Sequence, residues 1–495
     1  MDLLTREDYA AMAAQIDWPR GAFIDGRYRP GRGAALATTN PATGELIATI
    51  AACGAKDVDL AVRKARQAFD QGQWSKRPPG ERKAVLVRLA RLMRRNRREL
   101  AVMESIEAGK PIADCERIDV AEAIETILWH AETIDKIYDQ TAPTGDDALA
   151  IVVREPVGVV GAVLPWNFPI LMLAWKIAPA LAAGCSVIVK PAEQTSMTAL
   201  RVAELAAAAG LPRGVLQVLP GDGPAVGEPL GRHADVDMVS FTGSTETGRH
   251  FLRYAAESNL KKVVLECGGK NPAVVLADAE HLDLVAEHVV NAAFWNMGEN
   301  CSAASRLIVH KDVRQPLMKH ILARLKHWRT GDPLDPVTNL GALIDGEHLK
   351  KVKRYLKKGA LVGGKANGPF VPPTIYAAKP GDRLARDEIF GPVLSLIEVD
   401  SDEQAIALAN DTEYGLTACL FSANGRRALR AARAIKAGTV TINCYGEGSI
   451  ATPFGGYKQS GFGGRDNGLQ AHDQYTELKT IWVDLGDPAS SDDLG

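Results

Sequence analysis

The chain has 495 residues, too many for one ordinary domain, so two large lobes are expected. Hydrophobic residues at 46 % and charged residues at 24 % are ordinary for a globular protein, and a net charge of −2 gives no electrostatic reason to expect a nucleic acid or a membrane surface as partner. Seven cysteines, an odd number with no Cys-x-x-Cys pair, argue against a disulfide framework or a zinc site and fit a reducing compartment. The N-terminus carries early acids instead of an apolar run, and no stretch approaches the roughly 20 apolar residues of a membrane helix, so a cytoplasmic location is expected.

Residues 58–74, 81–108 and 116–137 carry the apolar spacing of helices, and the basic run 88–98 (RLARLMRRNRR) reads as a solvated helix face. Residues 140–147, polar with Pro143 and Gly145, read as a loop; residues 148–153 read as a short strand stopped by Pro156. From Val157 short apolar strands alternate with helices: GVVGAVLPW, SVIVK, GVLQVLPG, DMVSFTG and KKVVLECGG, with helices over 169–183, 196–209, 224–230 and from about Ser244. That alternation predicts a parallel, doubly wound sheet. A second α/β series runs from 272 to about 460, with strands near AVVLA, RLIVH, VLSLIEV and AGTVTIN. TELKTIWVDL is a last strand, and a disordered tail is expected over 487–495. The fold class is therefore α/β: two doubly wound domains, with a pair of strands outside both sheets. The boundaries are 1–137 with 157–267 for the first domain, 268–460 for the second, and 138–156 with 474–486 for the outlying strands.

Ligands of such sheets sit at the carboxyl ends of the strands. No Gly-x-Gly-x-x-Gly follows the first strand, but Phe241-Thr-Gly-Ser-Thr-Glu-Thr-Gly248 follows the fourth. Gly243 permits close backbone approach, and a helix starting at Ser244 offers free N–H groups to a phosphate, although most turns of this kind are only caps. Lys190 and Glu193 lie just past the second strand, where ribose hydroxyls are read in this topology; a surface Lys and Glu would look the same. Three residues then combine into a sharper set. Asn167 follows the first strand in PWNFP, Glu266 ends the fifth in LECGGK, and Cys301 follows a glycine-containing turn in NMGENCS. An amide donor, a carboxylate and a thiol are the parts of thioester chemistry. Taken singly, each has a plainer reading, since most lone cysteines pack in cores and strand-end glutamates often cap backbone. Cys267 adjoins Glu266, but strand alternation points it to the other face, into the core.

These segments, together with KPAE (190–193), GENCSAASR (298–306), EIFGPV (388–393) and PFGGYKQSG (453–461), resemble the aldehyde dehydrogenase family, in order and spread over about 160–460. IDKIY (134–138), GDPLDP (331–336) and YTELKTIW (475–482) resemble most its bacterial γ-glutamyl-γ-aminobutyraldehyde and ω-aminoaldehyde branch. The resemblance implies NAD-dependent oxidation of an aldehyde to a carboxylic acid. Cys301 is then the nucleophile, Asn167 with the Cys301 N–H holds the oxyanion, and Glu266 activates the hydrolytic water. Gly243 and Ser244 would hold the pyrophosphate, Lys190 and Glu193 the adenine ribose, Glu388 the nicotinamide ribose, with Phe390 and Trp166 also at the cofactor. A carboxylate at 193 favours NAD over NADP. In the family the outlying strands pair between subunits, which implies a homodimer or homotetramer. No metal is implied.

The substrate tunnel implied by the alignment is aromatic, with Phe168, Trp175, Tyr445 and Phe454 in its wall and Glu122 and Glu447 at its mouth. Two carboxylates there would attract a cationic, ω-amino aldehyde; if both point to solvent, a neutral aliphatic aldehyde fits as well. The loop 446–450 (GEGSI) departs from the acidic run common in that branch, which leaves the substrate open. Two other readings stand beside this one. A CoA-acylating semialdehyde dehydrogenase is disfavoured by Glu266, and a non-catalytic binding protein on the same fold by the joint presence of Asn167, Glu266 and Cys301.

Overall fold

The computed structural model describes residues 2–446 and 448–486; Glu447 and the tail expected over 487–495 lie outside the described residues. Two sheets carry the molecule. The first has eight strands, and its five central ones, in spatial order Leu216–Val218, Ser186–Lys190, Val159–Val163, Met238–Thr242 and Lys262–Glu266, are all parallel. In chain order these are strands three, two, one, four, five, so the winding reverses between Val159–Val163 and Met238–Thr242. A crevice opens at such a reversal because the two following connections leave in opposite directions. PWNFP leaves one of these strands and the Gly243–Ser244 turn the other.

The second sheet has six parallel strands in the order Thr374–Ala377, Val393–Val399, Arg306–His310, Pro272–Val275, Thr417–Phe421 and Thr439–Ile442. Both sheets are covered on two faces by apolar clusters, which is why their strands read as continuous apolar runs. Only residues 267–271 separate the end of the first series from the start of the second. The chain then returns once, when Gly461–Phe462 pairs with Leu265 and Glu266 at the edge of the first sheet.

Several expected elements differ. The helix expected over 81–108 is two, Pro79–Arg95 and Arg97–Ala108, broken at Asn96. The run 116–137 begins with a π turn, Cys115–Asp119, and continues as helix Val120–Thr133. Gln140–Ala142 is a strand and not a loop, because residues 150–152 offer it a pairing edge. The strand beginning at Ala148 runs through to Pro156, which sits at its last position opposite Thr476, where a missing N–H costs least. Thr374–Ala377 and Thr417–Phe421 are strands that periodicity did not separate from their surroundings; short runs buried over nearly their whole length carry no alternation to read. Ala148–Pro156 and Thr476–Asp484 do lie outside both main sheets, paired antiparallel with each other.

Candidate active site

The crevice at the winding reversal is a cleft of about 530 Å³ whose wall includes Trp166, Lys190, Glu193, Gly243 and Ser244. Ser244 caps helix Thr245–Ala256, its Oγ accepting the Thr247 N–H at 3.2 Å. A side chain at 243 would meet the Phe241 ring at 2.6 Å, so glycine there keeps the turn flat against the strand. Lys190 donates to Glu193 across 2.8 Å at the side of the cleft. Phe390, in the left-handed region at φ 59°, meets Trp166 edge-on with centroids 5.4 Å apart. Its carbonyl is bonded to His348 Nε2 at 2.6 Å. Glu388 does not line this cleft. Its carboxylate lies under the Gly268–Gly269 turn and accepts the Gly269 N–H at 2.8 Å, in the space a Gly268 side chain would need. Burial holds it above the usual carboxylate range.

The turn before Cys301 places three successive residues in the left-handed region, Asn296 (φ 53°), Met297 (φ 56°) and Gly298 (φ 66°). Such a run is costly and persists only where its surroundings impose it. Asn296 Nδ2 bonds the carbonyls of Asn167 and Glu299, and Asn271 Nδ2 bonds the Cys301 carbonyl at 2.7 Å. Asn167 is buried and its Nδ2 donates to the Glu299 carbonyl at 2.9 Å. The Asn167 amide and the turn before Cys301 are thus tied together by hydrogen bonds.

A narrow cavity of about 30 Å³ reaches Cys301 and Glu266 from the same side. Phe168, Trp175 and Phe454 form its apolar wall with Leu171 and Met172, and Cys301 packs against that cluster. Glu266 is buried, and neither carboxylate oxygen has a hydrogen-bond partner of normal geometry among the described residues. Burial pushes its pKa well above the carboxylate range; Asp466 adds to the push, and Lys176 and Arg465 pull against it. Gly455 explains part of the PFGG sequence, since a side chain there would strike Glu266 Oε1 at 2.6 Å. Cys267 is buried in the core cluster as expected but also contributes to the wall of this cavity, a correction to the idea that it faces wholly away. Burial pushes its thiol up to about 12, which keeps it protonated and inert.

Beside the narrow cavity, sharing Glu122, Trp175 and Trp295 with it, lies a mouth of about 690 Å³. Glu122 and Trp175 line both, whereas Tyr445, expected in the tunnel wall, lines the mouth and not the narrow cavity. The sequence reading missed Asp114 and Glu125 in the mouth and Lys176 and Asp466 below Glu266. Glu125 stands one helical turn from Glu122, a spacing that could have signalled it. No local pattern marks the Lys176–Asp466 pair, which spans 290 residues.

The aldehyde dehydrogenase family model matches residues 28–481. The chain is 63 % identical to an aminoacetaldehyde dehydrogenase from Pseudomonas aeruginosa over 492 residues, covering 98 % of this chain and 99 % of that one. It is 44 % identical to the NADP/NAD-dependent aldehyde dehydrogenase PuuC of Escherichia coli, covering 94 % and 95 %. Among solved structures, a γ-glutamyl-γ-aminobutyraldehyde dehydrogenase from Burkholderia cenocepacia superposes with a TM-score of 0.96 at 46 % identity, covering 98 % and 100 %. An indole-3-acetaldehyde dehydrogenase from P. syringae in complex with NAD+ does so at 0.96 and 44 %, with the same coverage. The chain belongs to the aldehyde dehydrogenase family. Its reaction is accordingly the NAD-dependent oxidation of an aldehyde.

Proposed function

We propose that the protein oxidises a cationic, amino-bearing aldehyde to the acid through a thioester on Cys301. The observation that carries this reading is the one narrow cavity lined by both Cys301 and the buried carboxylate of Glu266. The Cys301 thiolate adds to the aldehyde carbon. The oxyanion so formed is held by the Asn167 amide and the Cys301 N–H, each such donor being worth roughly 3 kcal/mol. Glu266 takes a proton from the water that then hydrolyses the thioester, so a thiol acceptor such as CoA is not needed.

The cleft residues fit the dinucleotide. Gly243 and the N–H groups of the Ser244 helix start suit a pyrophosphate, Lys190 and Glu193 suit ribose hydroxyls, and Trp166 and Phe390 give the far end an aromatic boundary. When bound, NAD supplies the hydride acceptor that the oxidation requires. Residues 1–137 with 157–267 serve as the cofactor-binding unit and 268–460 as the catalytic unit. Glu388, whose carboxylate accepts the Gly269 N–H, would hold the nicotinamide ribose.

The substrate class rests on the mouth. Glu122 and Glu125 line it beside Asp114, whose carboxyl burial pushes up to about 7, with no lysine or arginine among the described lining residues. Carboxylates around a partly desolvated opening attract a cation and penalise an anionic semialdehyde. The name of the 63 % identical relative agrees with such a substrate. The outlying strands serve assembly into a homodimer or homotetramer, and the seven free cysteines suit the cytoplasm.

The test follows NADH absorbance with amino, neutral and carboxylate-bearing aldehydes of matched length, at two salt concentrations. The amino substrate is expected to lead in kcat/KM, with a lead that shrinks as salt rises and falls in Glu122→Gln. Cys301→Ala is expected to lose oxidation and ester hydrolysis while still binding NAD. Turnover in Cys301→Ala overturns the mechanism; equal preference for the neutral aldehyde overturns the substrate class alone.

A further inference from the structure

Behind Asn167 lies a buried cation that the mechanism above does not use. Gly109, at φ 72°, ends helix Arg97–Ala108, and a side chain there would come within 2.7 Å of the Ala342 carbonyl. The Ser105 hydroxyl then donates to the Lys110 carbonyl at 2.6 Å and pins the next residue. Lys110 Nζ donates to the Asn167 carbonyl at 3.0 Å, lies 2.7 Å from Asp119 Oδ2 and sits 3.9 Å from the centre of the Phe168 ring. Lys110 and Asp119 are both shut off from solvent. Asp119 closes the π turn Cys115–Asp119, a widened turn of a kind often found at functional sites.

Stability alone is a poor reason for such a pair. Removing two charges from water costs several kcal/mol, and well-packed apolar residues often serve as well or better. Burial works against the Lys110 charge, but Asp119 together with Cys115 and Glu104 outweighs it and leaves the pKa above the usual lysine value, so the donor stays charged. A charged donor makes about twice the bond of a neutral one, and here it acts on the peptide that carries the oxyanion amide on one side and the Phe168 ring on the other. An oxyanion donor is effective only when held to about 0.5 Å.

We infer that Lys110, with Asp119 as its counter-ion, is a positioning residue for the reaction: its bond to the Asn167 carbonyl and its seat on Phe168 fix the amide that faces the oxyanion. The inference rests on the role proposed for Asn167, and the test separates the two.

Lys110→Met, Lys110→Met with Asp119→Asn, Asn167→Ala and the combinations with Asn167→Ala are compared for kcat, KM, NAD affinity by fluorescence, and melting temperature. The charge-matched double variant keeps the fold accessible where Lys110→Met alone would strand Asp119. Loss of one oxyanion donor typically costs 10²–10³ in kcat, so a misplaced donor is expected to cost roughly tenfold to a hundredfold. KM and NAD affinity are expected to stay within about threefold. The decisive comparison is the cycle: in the Asn167→Ala background the Lys110 and Asp119 changes are expected to cost little more, because the group they position is gone. Full multiplication of the losses overturns the inference, as does an unchanged kcat in a folded Lys110 variant. If neither Lys110 variant folds, Lys110 is structural and the inference falls. If Asn167→Ala itself leaves kcat intact, the oxyanion role fails first and takes this one with it.

Discussion

Lys176 donates to the Asp466 carboxylate across 2.7 Å with both side chains buried, and the two residues act on Glu266 in opposite senses. Asp466 pushes the Glu266 pKa up; Lys176 pulls it down. The pair joins helix Pro169–Ala183 to the segment after the PFGG sequence and contributes to the charge field around Glu266.

Asp466→Asn removes the negative charge but leaves the cation. Glu266 then ionises at lower pH, and the acid limb of a deacylation-limited kcat profile is expected to move to lower pH. Stability is expected to fall by about 3–5 kcal/mol, because the Lys176 charge is left buried and unpaired. Steady-state pH profiles and denaturant unfolding check both. An acid limb that stays put would show that Asp466 does not act on the base.

In the proposed mechanism Glu266 must lose its proton to activate water, and burial holds its pKa well above the carboxylate range. Thioester hydrolysis is therefore expected to rise with pH through that raised value. Glu266→Gln is expected to give a burst of NADH followed by a slow steady state, since hydride loss precedes the step that needs the base. Stopped-flow absorbance reads both phases. A steady-state rate equal to the wild type would assign the water to another group.

His130 and His472 are buried, and burial pushes their pKa values down to about 3 and about 4. In the unfolded chain a histidine takes up its proton near 6.5. Above that pH neither state binds these protons. Below it the unfolded state binds them and the native state does not, so each histidine costs stability at about 1.4 kcal/mol per pH unit until its folded pKa is reached. Glu107 and Asp114, both pushed up to about 7 by burial, work in the opposite sense. The readable quantity is thus the difference between variants: His130→Leu is expected to gain on the wild type as pH falls from 6.5 to 4.5. Parallel melting curves across that range would count against it.

Strand Thr476–Asp484 is exposed along almost its whole length, including Leu478, Ile481 and Trp482, and its only strand partner among the described residues is Ala148–Pro156. An apolar strand with an open edge is a liability unless another chain covers it. Sedimentation at micromolar concentration is expected to show a dimer or tetramer, and Trp482→Glu to shift it toward smaller species. A stable wild-type monomer would remove the assembly role.

What the sequence by itself determined follows from short-range signals. Strand–helix alternation over 157–266 gave the parallel sheet, because fully buried strands are apolar on both faces. The turns carrying Asn167, Glu266 and Cys301 were legible because each ends or follows a local element with an unusual polar residue. The short strands Thr374–Ala377 and Thr417–Phe421 lacked such a signal. The tertiary structure alone decided which charges meet: Lys110 with Asp119 and Asn167, Lys176 with Asp466, Glu388 with Gly269. It also decided that Asp114 and Glu125 share a mouth with Glu122. A buried ion pair is defined by the low-dielectric space that two distant segments enclose together, and neither segment carries the mark of the other.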